Sequence, residues 1–237
     1  MPKKITPWLM LFSRSALFLL FQVLTALIFV AAGTPSAWDE AARWWTFATL
    51  FTNLASLYLL VRIFNAEGKR FWDILHFSRE TWKPDLLWTI GFLIIGLPIA
   101  VLPQQPLAVL IFGDAAAATG MMFRPLPSWA LAVSFLFPLT IWFAELPTYF
   151  GYCMPRLETQ IKNGWLALVI AAFFLAAQHM FLPFILDGGY LFWRFGMFLP
   201  FAFFIGLGLK LRPSLLPYLV VIHALMDIST VLVYLTI

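Results

Sequence analysis

Charge is scarce in this sequence. Only 11% of its 237 residues are Asp, Glu, Lys or Arg, against 62% hydrophobic ones. A soluble domain carries about 25% charged and about 45–50% apolar residues. A water-facing fold is thereby excluded, because the chain has too few polar side chains to cover a surface. Cysteine occurs once, at Cys153, which excludes an internal disulfide and leaves the redox compartment open. No internal repeat and no low-complexity stretch is evident. No basic cluster sits on a soluble fold, so the net charge of +4 does not report a nucleic-acid partner.

What is present is apolar length. Mean hydropathy is +0.90, and runs of 17 or more mostly apolar residues are long enough to cross hydrocarbon as helices. They are Ser15–Ala32, Trp45–Phe64, Leu86–Leu102, Trp129–Tyr152, Trp165–Phe184, Leu191–Leu209 and Leu215–Ile237. The expectation is an all-α, polytopic transmembrane helix bundle of about seven spans, with residues 1–237 as a single membrane domain. A patch at Leu107–Phe112 is too short to span and is expected to dip into the interface. Arg14 borders the first run and Arg194 interrupts the sixth.

Basic residues set the orientation. With a cytoplasmic N-terminus, Lys3, Lys4, Arg14, Arg62, Lys69, Arg70, Arg79, Lys83, Arg156, Lys162, Lys210 and Arg212 fall inside, and Arg43, Arg124 and Arg194 fall outside. That asymmetry is what the positive-inside rule predicts. The N-terminal apolar run is read as a retained first helix, since removing it would spoil this balance. Trp44, Trp45, Trp129, Trp165 and Trp193 near span ends suit an interfacial aromatic belt. Between Lys69 and Asp85, aromatic and basic residues alternate as in a segment lying on the cytoplasmic leaflet; His76 belongs there as a surface histidine. Membrane lipids are thus expected partners, and the expected location is the cell membrane.

Few ionisable groups remain inside the spans: Glu145, His179, His223 and Asp227. An acid at a helix centre costs about 2.5–3.5 kcal/mol to insert, so such groups mark function or pairing. At about 1.5 Å per residue from the cytoplasmic ends, Glu145 lies about 16 Å deep, His179 about 21 Å, His223 about 15 Å and Asp227 about 21 Å. Three helices therefore bring these side chains to one slab, and His223 and Asp227, four apart, share a helix face. Packing alone, a proton-coupled transporter or a catalytic site would each use such a cluster. Transporters favour inverted repeats and matching broken helices, which are not evident here. Pro138 and Pro147 flank Glu145, where a kink would open a water path. One Glu and two His (Glu145, His179, His223) would also make an open zinc site, although no helical His-Glu-x-x-His is present.

The surrounding residues resemble the CPBP family, intramembrane proteases named for CAAX proteases and bacteriocin processing. Its three motifs are Glu-Glu-x-x-x-Arg, Phe-x-x-x-His, and His-x-x-x-Asn or Asp. The first region here keeps Glu145 and the tail Gly151-Tyr152-Cys153-Met154-Pro155-Arg156-Leu157. The second reads Leu175-Ala176-Ala177-Gln178-His179, and the third His223-Ala224-Leu225-Met226-Asp227. The likeness covers about the last 110 residues, so 129–237 is the motif-bearing helical core. It departs where Leu146 stands for the second Glu and Phe150 for the Arg. Both changed together, which reads as loss of a supporting ion pair, since replacing both partners by packed apolar groups can be nearly neutral.

The resemblance implies an intramembrane endopeptidase acting on membrane-associated or peptide substrates. Glu145 and His179 would activate water, with Glu145 as general base, and His223 with Asp227 would stabilise the oxyanion. It implies a glutamate mechanism with no cofactor, zinc being the alternative. An ionised Asp227 cannot donate a hydrogen bond, so it is either protonated or holds His223 as an imidazolium donor. The altered first motif leaves a silent scaffold or partner-binding relative as the other outcome.

Overall fold

The computed structural model describes residues 4–236; Lys3 and Ile237, at the two ends of the expected topology, lie outside them. The protein is an all-α membrane bundle, with no strand among the described residues. The helices are α1 (Thr6–Ala31), α2 (Ala37–Arg43), α3 (Trp45–Ala66), α4 (Trp82–Val101), α5 (Gln104–Phe112) and α6 (Ala117–Met122). There follow α7 (Ser128–Ser134), α8 (Leu136–Ile141), α9 (Met154–Ile161), α10 (Gly164–Gln178), α11 (Gly188–Leu211) and α12 (Leu216–Leu232). Six stretches are long and apolar enough to cross a membrane: Thr6–Ala31, Trp45–Ala66, Trp82–Phe112, Gly164–Phe181, Gly188–Leu211 and Pro213–Leu235. Their outer faces are aliphatic and bare: Leu110 is 78% exposed and Leu87 71%. Only lipid tails make a good solvent for such a surface.

Two expected elements take a different form. The fourth run is not one helix. Its chain passes through α7 and α8, a turn at 142–144 and a π-helical stretch at Pro147–Cys153, after which α9 begins. Proline explains the breaks: Pro138 has no N–H for the Ser134 carbonyl and Pro147 none for that of Phe143, and each ring crowds the carbonyl it fails to bond. Non-helical backbone at this depth is tolerated because protein surrounds it. The Leu107–Phe112 patch, expected to dip alone into the interface, is the end of α5, which continues α4 after a short turn and packs on the start of α11. There the Trp193 indole donates to the Gln104 carbonyl at 2.9 Å.

The bundle has one basic end and one end poor in charge. At the basic end Trp8 donates to Gln160, Arg156 forks onto Glu67, and Lys210 meets Glu158. Arg212 reaches Asp85, whose carboxylate also accepts from Thr81 and Ser214. At the other end Arg124 and Arg43 bond backbone carbonyls of Asp39 and Pro125, and Gln22 exchanges two hydrogen bonds with the Phe184 backbone. The segment after Lys69 is a single 3-10 turn, Phe71–Leu75, followed by extended chain. It tucks Phe71 inward and leaves Trp72 and Phe77 exposed, and His76 is exposed as expected. Trp129 and Trp165 are exposed as a belt requires, whereas Trp45 and Trp193 are buried inside the bundle.

The Glu67–Arg156 pair staples the end of α3 to α9. Arg156 donates Nε to Glu67 at 2.8 Å and stacks 3.9 Å above the Tyr152 ring. That hydrogen bond, opposed by partial burial, holds the Glu67 carboxyl below its ordinary value. A depressed carboxyl stabilises the fold above its unfolded pKa and loses that contribution as pH falls through its folded one. Glu67→Gln is therefore expected to cost about 1 kcal/mol at neutral pH. The gap between variant and wild type should close on acidification, as read by thermal unfolding in detergent across pH.

Candidate functional site

The site begins with a residue whose sequence position conceals it. Arg14 was expected at the cytoplasmic border, but α1 starts at Thr6, with Pro7 suited to its first turn. Arg14 therefore sits about 12 Å along the helix and is fully buried. Three neutral acceptors hold its guanidinium: Gln178 Oε1 at 2.7 Å, Asn53 Oδ1 at 3.0 Å and Ser56 Oγ at 3.2 Å. Asn53 is fixed in turn by Thr140 at 3.1 Å and the Phe137 carbonyl at 3.3 Å, and the Tyr149 hydroxyl donates to Gln178 at 3.3 Å. Nη2 of this cradled cation lies 3.5 Å from Glu145 Oε2.

Glu145 follows the turn between α8 and the π-helical stretch, and is 1% exposed. Its other oxygen, Oε1, lies 3.2 Å from His223 Nε2, and the same nitrogen lies 3.2 Å from Asp227 Oδ2. These are close polar approaches, and neither Glu145 oxygen has an aligned hydrogen bond. Both acids thus converge on one nitrogen at the edge of the His223 ring, so Asp227 stands beside that nitrogen and not behind the ring. One turn of α12 separates His223 from Asp227 and makes this shared contact possible.

His179 approaches from the end of α10. Its Nδ1 is 2.8 Å from the Leu175 carbonyl; a carbonyl only accepts, so Nδ1 carries the proton and a neutral ring keeps an unprotonated Nε2. The ring stacks on Phe198 at a centroid distance of 3.6 Å. Arg194, expected to interrupt its span and lie outside, instead sits buried within the continuous α11. It donates Nε to the His179 carbonyl at 3.2 Å and Nη2 to the Leu182 carbonyl at 2.7 Å. The His179 carbonyl caps α10, where a cation is favoured by the helix dipole, and the Leu182 carbonyl closes the 3-10 turn that follows. Arg194 and Phe198 together fix the turn that carries His179.

A cavity of about 390 Å³ is lined by Glu145, His179, Arg194, His223 and Asp227. The four residues expected from sequence therefore meet in one place: Glu145, His223 and Asp227 in contact, His179 on the same wall. The zinc set fits poorly. No ready group of three His, Cys, Asp or Glu side chains for a metal ion is found among the described residues; the Arg14 cation flanks Glu145, and both acids turn to one nitrogen of His223. Leu146 and Phe150 lie in the apolar core beside the site. The Phe150 ring packs so closely under α11 that a Cβ on Gly206 would come within 2.6 Å of it.

Arg14, Arg194 and the amide–hydroxyl cradle were not recognised from the sequence. The available signal was a set of uncharged polar side chains inside the runs: Asn53 with Ser56 on one face of α3, and Gln178 beside His179. Comparison with protein-family models, with curated proteins and with solved structures found no match to this chain.

Proposed function

We propose that the chain is a multi-pass intramembrane endopeptidase of the CPBP type, resident in the cell membrane and independent of a metal. The observation that carries this is Glu145: a carboxylate buried in a membrane bundle, without an aligned hydrogen bond, on the wall of a cavity shared with two histidines. A water drawn from that cavity to the carboxylate would meet Oε1, beside His223, since Oε2 faces Arg14. Glu145 takes one of its protons as the hydroxyl oxygen bonds the scissile carbonyl carbon. His179 offers its unprotonated Nε2 to orient the same water. The carbonyl oxygen becomes an oxyanion, which His223 stabilises as a cation held by Asp227. The C–N bond then breaks as Glu145 returns the proton to the amine nitrogen, giving a new carboxyl and a new amine.

Glu145→Gln preserves shape and removes the base, and general-base loss typically costs about 10²–10⁴-fold in rate. Protein termini in membranes from cells expressing wild type or this variant at matched abundance can be compared by terminal-peptide mass spectrometry. Termini present only with wild type support the proposal and name a substrate; identical sets sink it. A second reading, a silent scaffold or partner-binding relative, is favoured by Arg14, whose guanidinium 3.5 Å from Glu145 ties that carboxylate into a buried ion pair. Identical termini would leave this reading standing.

A further inference from the structure

The cavity is extended toward one end of the bundle. Beyond the reacting groups, its wall is built from the charge-poor ends of the helices: Gln104 at the start of α5, Thr119 on α6, Trp193 early in α11 and Val233 after α12. None of the residues that knit the basic end contributes to it. Its exposed lining residues are Leu97 and Val101 on α4 and Ser229 on α12. The mouth is thus a slot between the charge-poor halves of α4 and α12, beside the α5–α6 connection.

The chemistry of that slot is specific. The Ser229 and Thr230 hydroxyls both donate back to the Met226 carbonyl, and the Gln104 amide donates to the Ala100 carbonyl. The two hydroxyls have spent their only donors on their own helix and keep their oxygens as acceptors, while Gln104 spends one amide N–H on α4 and keeps its Oε1 as acceptor. The opposite wall, Leu97 and Val101, is aliphatic. The Ser229 and Thr230 oxygens across from an aliphatic wall, with the Gln104 amide at its end, suit the backbone and apolar side chains of an extended, uncharged polypeptide segment.

We infer that the site is reached from the face opposite the basic loops, and that its substrate is an extended segment of an exported or outer-leaflet-anchored polypeptide. The substrate class rests on the endopeptidase reading; the side of access does not. Two measurements keep these apart. In a Cys153→Ser background, Ser229→Cys and Thr119→Cys are placed at the mouth, and Glu80→Cys, in the exposed basic-end loop, serves as control. A membrane-impermeant charged maleimide added to intact spheroplasts should label both mouth positions and miss Glu80→Cys, with the pattern reversed in inverted vesicles. Mouth cysteines labelled together with Glu80→Cys from the inverted side, or from neither side, would overturn the inference. The wild-type-specific termini of the preceding comparison should fall in extracytoplasmic segments; termini in cytoplasmic segments overturn the substrate class. An absence of any such termini removes the endopeptidase reading, and the labelling pattern alone then decides the side of access.

Discussion

Replacing Arg14 with methionine is expected to destabilise the bundle by about 3–5 kcal/mol, the usual consequence of stranding a buried charge. The variant takes the cation from Glu145 and at the same time leaves the acceptors of Gln178, Asn53 and Ser56 without their donor. A buried orphaned acceptor costs about 1–3 kcal/mol in its own right. Arg14→Lys should recover little, because one ammonium cannot reach four partners that a planar fork reaches from three nitrogens. Glu145→Gln should be much milder, since Arg14 keeps its three neutral acceptors. The informative variant is the double change, Arg14→Met with Glu145→Gln, which removes both charges. It is expected to regain part of the loss, with a coupling of about 1–3 kcal/mol between the two positions. Unfolding in detergent, followed for all four proteins, yields that coupling. A coupling near zero would show that Arg14 serves its amide cradle and not the acid.

How much of this was legible in the sequence depends on the kind of signal each element leaves. Apolar length is read directly, and α3, α10, α11 and α12 fall close to the expected runs because nothing polar interrupts their lipid faces. The broken fourth segment still reads as a long apolar run; only Pro138 and Pro147 mark its interruption. Glu145, His179, His223 and Asp227 were visible because their charge is costly at depth and their spacing on α12 is local. Arg14 was hidden by a boundary. Beginning the first run at Ser15 made Arg14 a border residue in the positive-inside count, when starting the helix at Thr6 makes it an intramembrane cation in need of an acid. Arg194 was hidden likewise, since its partners are the backbone carbonyls of His179 and Leu182, which no side-chain pattern reports. Removing both from the count leaves the orientation unchanged, because one residue comes from each side.

Introducing glutamate at Leu146 is the second change expected to have a large effect, and it tests why positions 146 and 150 are apolar where the resembled motif has Glu and Arg. Leu146 is buried in an apolar cluster with Tyr149 and Phe150, next in sequence to Glu145. A second carboxylate there has no cation of its own and lies near a like charge, so Leu146→Glu should cost about 3–5 kcal/mol or force that acid to stay protonated. Adding Phe150→Arg supplies a partner four residues on, and the pair should recover about 1–3 kcal/mol. It should not recover everything. The space at residue 150 is shaped for a flat ring: α11 approaches it through Gly206, and Leu168 crowds the same spot. An arginine there needs acceptors, whereas the neighbours are aliphatic and aromatic. The double variant is thus expected to remain less stable than wild type in detergent unfolding and less abundant in membranes. If it matched wild type in both, the packing around Phe150 would not be an adaptation to the missing pair. The expected deficit instead fits a site whose acid takes its cation from Arg14 on α1, which frees the motif's own helix to be apolar.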